Sequence, residues 1–237
     1  MDRKEQYAAE WNSSAEYFSN NGDYDWMETH LHKYHTVLEI GCGTGHSTLS
    51  LLENGHKVIC VEKNGACIAF AKKLIEEHGY SSDTVIFLEG DILDFEFLTS
   101  TVEELNFDVI CCWNPGTVWE KNTLLECAQL FQDFGFTTED IKHNPEGSYV
   151  ELLFLVCAYY AKKKGVPFHI IDRGRYETDS RNDVYYHLLK DEVGLSDIFY
   201  DNKRTESLSA KGRVLAVNSK PLTGDYIDVV LISVLMK

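Results

Sequence analysis

The chain has 237 residues, 44% of them hydrophobic, and a formal net charge of −16. That is enough to bury the core of one α/β domain, so residues 1–237 are read as a single domain. The charge repels phosphate backbones and disfavours a nucleic-acid partner, while the lack of any apolar run of ~18 residues and of a signal-peptide core in Met1–Gln6 predicts a cytoplasmic protein with no membrane partner.

Residues 3–20 show helical spacing through Tyr7, Ala8, Trp11, Ala15 and Phe18, and stop at Asn20-Asn21-Gly22-Asp23. Tyr24, Trp26, Met27 and Leu31 predict a second short helix. The aromatics of this leader, residues 1–35, fit either simple packing against the main body or a helical lid that excludes water from a ligand. His30, His32 and His35 are spaced H-x-H-x-x-H. That spacing does not bring three imidazoles to one helical face, and no metal site is assigned. The seven cysteines lie mostly in apolar runs without a C-x-x-C pair, which reads as buried, reduced thiols.

Val37-Leu38-Glu39-Ile40-Gly41-Cys42-Gly43-Thr44-Gly45 reads as a short buried strand, a glycine turn and the start of a helix that runs to Asn54. Glycines admit a ligand to the backbone, and a helix start offers unpaired N–H donors, so the turn suits a nucleotide-like ligand. The third glycine comes one residue early for the dinucleotide pattern G-x-G-x-x-G, and Gly45-His46-Ser47 lacks the lysine of a phosphate loop. This E-x-G-x-G-x-G run resembles motif I of the class I S-adenosylmethionine-dependent methyltransferases.

The next β-rich run, 57–62, ends at Glu62, about 20 residues past the first glycine, where a doubly wound fold places an acid on ribose hydroxyls. NAD and S-adenosylmethionine share that position. A helix through Ile68, Ala71, Leu74 and Ile75 follows, then a third strand at 84–88 and Glu89-Gly90-Asp91-Ile92. The resemblance implies that Asp91 meets the adenine amino group and Ile92 its ring; an Asp here can equally cap the next helix. Strand four, 107–112, runs into Trp113-Asn114-Pro115-Gly116. By resemblance this is motif IV, near the methyl group, yet the second proline and aromatic of base-methylating enzymes are replaced by Gly116 and Thr117. As residues alone, N-P-G is a turn.

An amphipathic helix is expected over 118–133, a loop over 134–147, a helix from the Asn144-Pro145-Glu146 start to Lys164, and strand five at 166–171. The resemblance implies one helix between strands four and five, so 115–147 reads as an insert shaping a substrate pocket. A last helix after Ser180-Arg181-Asn182-Asp183 precedes β-rich runs at 198–200, 214–217 and 227–236, one more than the family pattern needs. The expected fold is α/β: a doubly wound, mostly parallel seven-stranded sheet with an antiparallel C-terminal hairpin.

The resemblance implies S-adenosylmethionine as cofactor, S-adenosylhomocysteine as product, and methyl transfer to a small-molecule acceptor. Its implied cofactor residues are Glu39, Gly41, Gly43, Gly45, Glu62, Lys63, Asp91, Ile92 and Asn114. No catalytic residue is singled out; Asn114, Trp113, Tyr17 and His143 are candidates to line the acceptor pocket. The alternatives are a nucleic-acid methyltransferase, a NAD-dependent oxidoreductase and a cofactor-binding sensor or scaffold.

Overall fold

The computed structural model describes residues 2–116, 123–208, 216–217, 220–221 and 224–237. Its first helix, α1 (Arg3–Asn20), opens on a reciprocal cap in which Asp2 accepts from the Glu5 N–H and Glu5 accepts from the Asp2 N–H. Helix α2 (Asp23–Glu28) leads to β1 (Thr36–Ile40), α3 (His46–Glu53), β2 (Lys57–Glu62), α4 (Gly65–Glu77) and β3 (Val85–Glu89). A short turn of helix, α5 (Phe95–Phe97), and a π-helical turn at Leu98–Val102 connect to β4 (Val109–Trp113). Then come α6 (Thr123–Glu126), α7 (Ala128–Asp133), α8 (Thr138–His143), α9 (Pro145–Lys164) and β5 (Phe168–Gly174). Helix α10 (Tyr186–Val193) and strands β6 (Ile198–Leu208), β7 (Ala216–Val217), β8 (Lys220–Pro221) and β9 (Tyr226–Met236) complete the described chain.

Seven strands form one sheet in the order β3-β2-β1-β4-β5-β9-β6. The first five are parallel, and β9 runs antiparallel between β5 and β6. The β-rich run that the family pattern did not need goes to β7, which pairs with β8 in a separate two-stranded ribbon. Period-two alternation sends the strand side chains into two cores. Leu38, Ile40, Ile59, Val61, Ile110, Cys112, Phe168 and Ile170 pack with α9 and α10. Val37, Val58, Cys60, Val109, Cys111, Trp113 and Ile171 pack on the opposite face with Phe18, Met27, Leu51 and Ile75 from α1 to α4. Both faces are covered, which is why these strands are near-continuous apolar runs.

Three expected boundaries change. The 118–133 helix is two short helices broken at Cys127 where it is described; 117–122 lies outside the described residues. The expected 134–147 loop contains α8, a turn and a half too short to show a periodicity. The last helix begins at Tyr186, and Asp183 serves as its cap by accepting from the N–H groups of Tyr185, Tyr186 and His187. All seven cysteines are buried and unpaired; burial raises the Cys111 and Cys112 thiols well above their ordinary range, and a hydrogen bond with Cys60, together with burial, raises that of Cys42.

Candidate functional site

β1 continues into β2 and β3 on one side while β4 lies on its other side, so the strand order reverses at the carboxyl end of β1. Open α/β sheets bind ligands at such a point. Here a cleft of about 940 Å³, counted to its open mouth, is walled by Ile40, Gly41, Gly43, Glu62, Asp91, Asn114 and neighbouring groups.

The glycine turn divides its labour. A Cβ on Gly41 would meet nothing within 4 Å, so its backbone stays open to the cleft. A Cβ on Gly43 would lie 2.4 Å from Nε1 of Trp11, and one on Gly45 would lie 2.8 Å from the backbone of Ala71. Gly43 thus makes room for α1, and Gly45 for the close approach of α4. Glu39 sits beneath the turn, 1% exposed, and accepts from Ser47 Oγ at 2.5 Å and Thr48 Oγ1 at 2.6 Å. It ties β1 to the first turn of α3 and does not line the cleft; burial raises its carboxyl above the usual range, against the pull of those hydroxyls.

Glu62 reaches the cleft from the end of β2. It accepts from the Gly43 N–H at 3.0 Å and the Asn64 N–H at 2.8 Å, which fixes the carboxylate plane and leaves lone pairs for more donors. Burial raises its carboxyl, while those two N–H groups and Lys63 pull it down. Lys63 lies over the Tyr149 ring at 4.5 Å, donates to its hydroxyl at 2.7 Å and reaches Asp91 at 3.3 Å. Asp91 also accepts from the Leu93 N–H at 3.0 Å, and Ile92 forms apolar wall beside it.

Asn114 lies just past β4 with φ 49°, a left-handed conformation that asparagine tolerates better than most side chains. It is 5% exposed, and neither atom of its side-chain amide has a hydrogen-bond partner among the described residues. The preceding residue is turned the other way. Trp113 donates from Nε1 to His169 Nδ1 at 2.9 Å, and His169 Nε2 meets Ser233 Oγ at 2.9 Å. The Trp113 donor assigns the His169 proton to Nε2.

Of the residues singled out from sequence, Gly41, Gly43, Glu62, Lys63, Asp91, Ile92 and Asn114 meet in this cleft. Glu39 and Gly45 support it from below. Three acceptor-pocket candidates are corrected. Trp113 belongs to the buried core on the far face of β4. Tyr17 donates to Glu206 at 3.0 Å and packs at a tilt against Tyr226, off the α1 face that carries Trp11. His143 ends α8 and lines a second cavity with Glu146, Asp172 and Tyr185. Sequence reading missed Lys4, Asn64, Tyr149 and Leu153, and held Tyr7 and Trp11 only as lid aromatics. Lys4, Tyr7 and Trp11 share one helical face, a signal available in their i, i+3, i+7 spacing.

Residues 37–135 match the family model described as methyltransferase domain. The mitochondrial ribosomal RNA small subunit methyltransferase of Arabidopsis thaliana is 30% identical to it over 99 residues, 41% of this chain and 26% of that protein. YqeM of Bacillus subtilis (strain 168), provisionally named a methyltransferase, is 27% identical over 101 residues, 43% of this chain and 38% of that protein. The chain therefore spans well under half the length of these relatives. The SAM-dependent methyltransferase from Agrobacterium tumefaciens has the same fold, with a TM-score of 0.52 at 14% identity over 92% of this chain and 62% of that one.

The Agrobacterium tumefaciens protein of the same fold is named for its dependence on S-adenosylmethionine, and the cleft here has the chemistry to take that molecule. Glu62 can accept from ribose hydroxyls, Gly41 leaves the turn bare, and Ile40, Val61, Ile92 and Leu153 supply apolar wall for a heteroaromatic ring. Two buried amide atoms on Asn114 await a partner. Among the described residues no three His, Cys, Asp or Glu side chains cluster to hold a metal.

Proposed function

We propose that the protein transfers a methyl group from S-adenosylmethionine to a small-molecule acceptor in the cytoplasm, and that residues 1–237 form one domain in which 1–35 is the lid. The observation that carries the small-acceptor reading is the roof on the cleft. Helix α1 lays Lys4, Tyr7 and Trp11 along it, from Trp11 against Gly43 to the Tyr7 hydroxyl beside Gly116. A roof at that distance admits a compact acceptor and obstructs a polymer. Pro115 and Gly116 bring the start of the 115–147 insert to the same wall, while Cys127 and Phe131 anchor its later part in the core.

Bound S-adenosylmethionine supplies a methyl group already activated on a sulfonium. The chain's work is placement. Glu62 holds the ribose, Asp91 and Ile92 hold the adenine with Lys63 beside them, and Gly41 lets the amino-acid end lie on the backbone. Glu39 keeps the turn in shape from below. Asn114 stands at the β4 end, where the acceptor approaches. Alignment of this kind supplies about 7–11 kcal/mol of the barrier. The closed roof keeps water from the reacting centre.

An RNA acceptor is the second reading. The name of the Arabidopsis relative favours it, and the formal charge of −16 opposes it. The test is transfer of labelled methyl from S-adenosylmethionine into a cell extract by the full chain. We expect label in the low-mass fraction, resistant to nuclease. Label confined to nuclease-sensitive polymer would establish the second reading instead.

A further inference from the structure

The two halves of α1 are held in different ways. Its second half sinks Ala15 and Phe18 into the core that α1 to α4 share with the sheet. Its first two turns, residues 3–9, bury only Ala8. A segment with so little apolar burial opens locally at small cost, so the few contacts beneath it decide where it lies. Two stand out. Trp11 rests against Gly43, and Asn64 Nδ2 donates to the Lys4 carbonyl at 3.2 Å, across 60 residues of sequence. A helix carbonyl has a second lone pair to receive such a bond.

Asn64 comes two residues after β2, lines the cleft and is 4% exposed. Each of its polar groups is engaged. Its N–H donates to Glu62 at 2.8 Å, its carbonyl accepts from the Ile68 N–H at 3.1 Å, and its Oδ1 caps α4 by accepting from the Ala66 N–H at 3.0 Å. Only Nδ2 leaves this neighbourhood, and it goes to α1. Glu62 stands between the two seats of the roof. Its Oε1 takes the Asn64 N–H, and its Oε2 takes the Gly43 N–H at 3.0 Å. One bond leads through the Asn64 amide to Lys4, the other through Gly43 to Trp11. Ribose hydroxyls donating to the same carboxylate restrain it further, and with it both seats.

We propose that Asn64 is a positioning residue for methyl transfer. It ties the ribose acid to the roof, so that cofactor binding sets the first turns of α1 over the cleft. This rests on the reading of Glu62 as the ribose acid of a methyltransferase site. Coupling of this kind is reciprocal, so a seated roof also tightens the hold on the cofactor.

The test is amide hydrogen exchange on the full chain, alone and saturated with S-adenosylhomocysteine, after calorimetry has established binding. Asn64→Ser keeps a good cap for α4 but is too short to reach Lys4. Asn64→Asp keeps the shape and the cap and cannot donate. In the wild type we expect S-adenosylhomocysteine to slow exchange of the α1 amides of residues 6–14 by about fivefold or more, the weight of about one hydrogen bond. In both variants that slowing should shrink to about twofold or less, with α4 exchange unchanged. A merely structural contact would speed α1 exchange by the same factor with and without the ligand, and leave the slowing intact. That result overturns the proposal, as does an α1 that ignores the ligand in the wild type. Faster exchange in α4 to the same degree as in α1 overturns it too, because it assigns Asn64 to the cap alone. If S-adenosylhomocysteine fails to bind the wild type, the methyltransferase reading falls first and this inference with it.

Discussion

Gly43 joins the turn to the leader helix, and its role there can be measured. Gly43→Ala places a methyl where the Trp11 indole lies and forces alanine into a left-handed conformation. We expect a loss of about 1–3 kcal/mol from overpacking, with about 1–2 kcal/mol more from the backbone. In a Trp11→Ala background the steric part disappears, so urea denaturation of the four-protein cycle should show coupling between the two positions. Additive effects would mean that α1 is not seated on the turn. Glu62, Asp91 and Gly41 were legible because each sits at the end of a strand, where a residue's place in the motif fixes its place in space. Trp113 and Tyr17 were not. One residue along a strand flips a side chain to the opposite face, and six residues along α1 turn Tyr17 well off the Trp11 face.

At the scale of elements, β4 and β5 are locked by the chain from Trp113 to His169 to Ser233. Burial, with the His30 ring stacked at 5.4 Å, holds the His169 imidazole well below its ordinary value of 6.5. The unfolded chain therefore takes up this proton first on acidification. The stability from a neutral His169 is present above pH 6.5 and is lost as pH falls toward the folded value. His169→Gln can accept from Trp113 and donate to Ser233 without titrating. Between pH 6.5 and 5 we expect the wild type to lose up to about 1.4 kcal/mol per pH unit more than this variant, by denaturant titration. Parallel curves would refute the assignment. At the other end of the fold, Asp2→Ala removes the cap of α1 and should cost about 1 kcal/mol. Faster amide exchange confined to the first turns, which carry Lys4 and Tyr7, would show it. The parallel strands were readable because each is an apolar run bounded by a glycine turn or helix; their order in the sheet is set by the structure. Helix α8 and the π-helical turn at 98–102 were not, because five or six residues are too few to establish a period.

At the scale of the molecule, a chain with net charge −16 carries a cleft in which Lys4 and Lys63 balance Glu62 and Asp91. A polyanion must approach against the field of the whole protein, so excess RNA should leave cofactor affinity unchanged at 50 mM and at 200 mM salt. Competition that fades with salt would signal a basic track. The stretch that matches the methyltransferase domain model, residues 37–135, ends before α8. The cleft also draws Lys4, Tyr7 and Trp11 from the leader before it and Tyr149 and Leu153 of α9 from beyond it. Those five residues belong to no motif, which is why sequence motifs led to only part of the cleft.

The most direct measurement is calorimetric titration of S-adenosylhomocysteine into the wild-type protein and into Glu62→Ala. We expect one molecule bound per chain, and a weakening of at least about tenfold in the variant from lost ribose hydrogen bonds. No heat of binding to the wild type, or equal affinity in the variant, would contradict the assignment of this cleft to the cofactor.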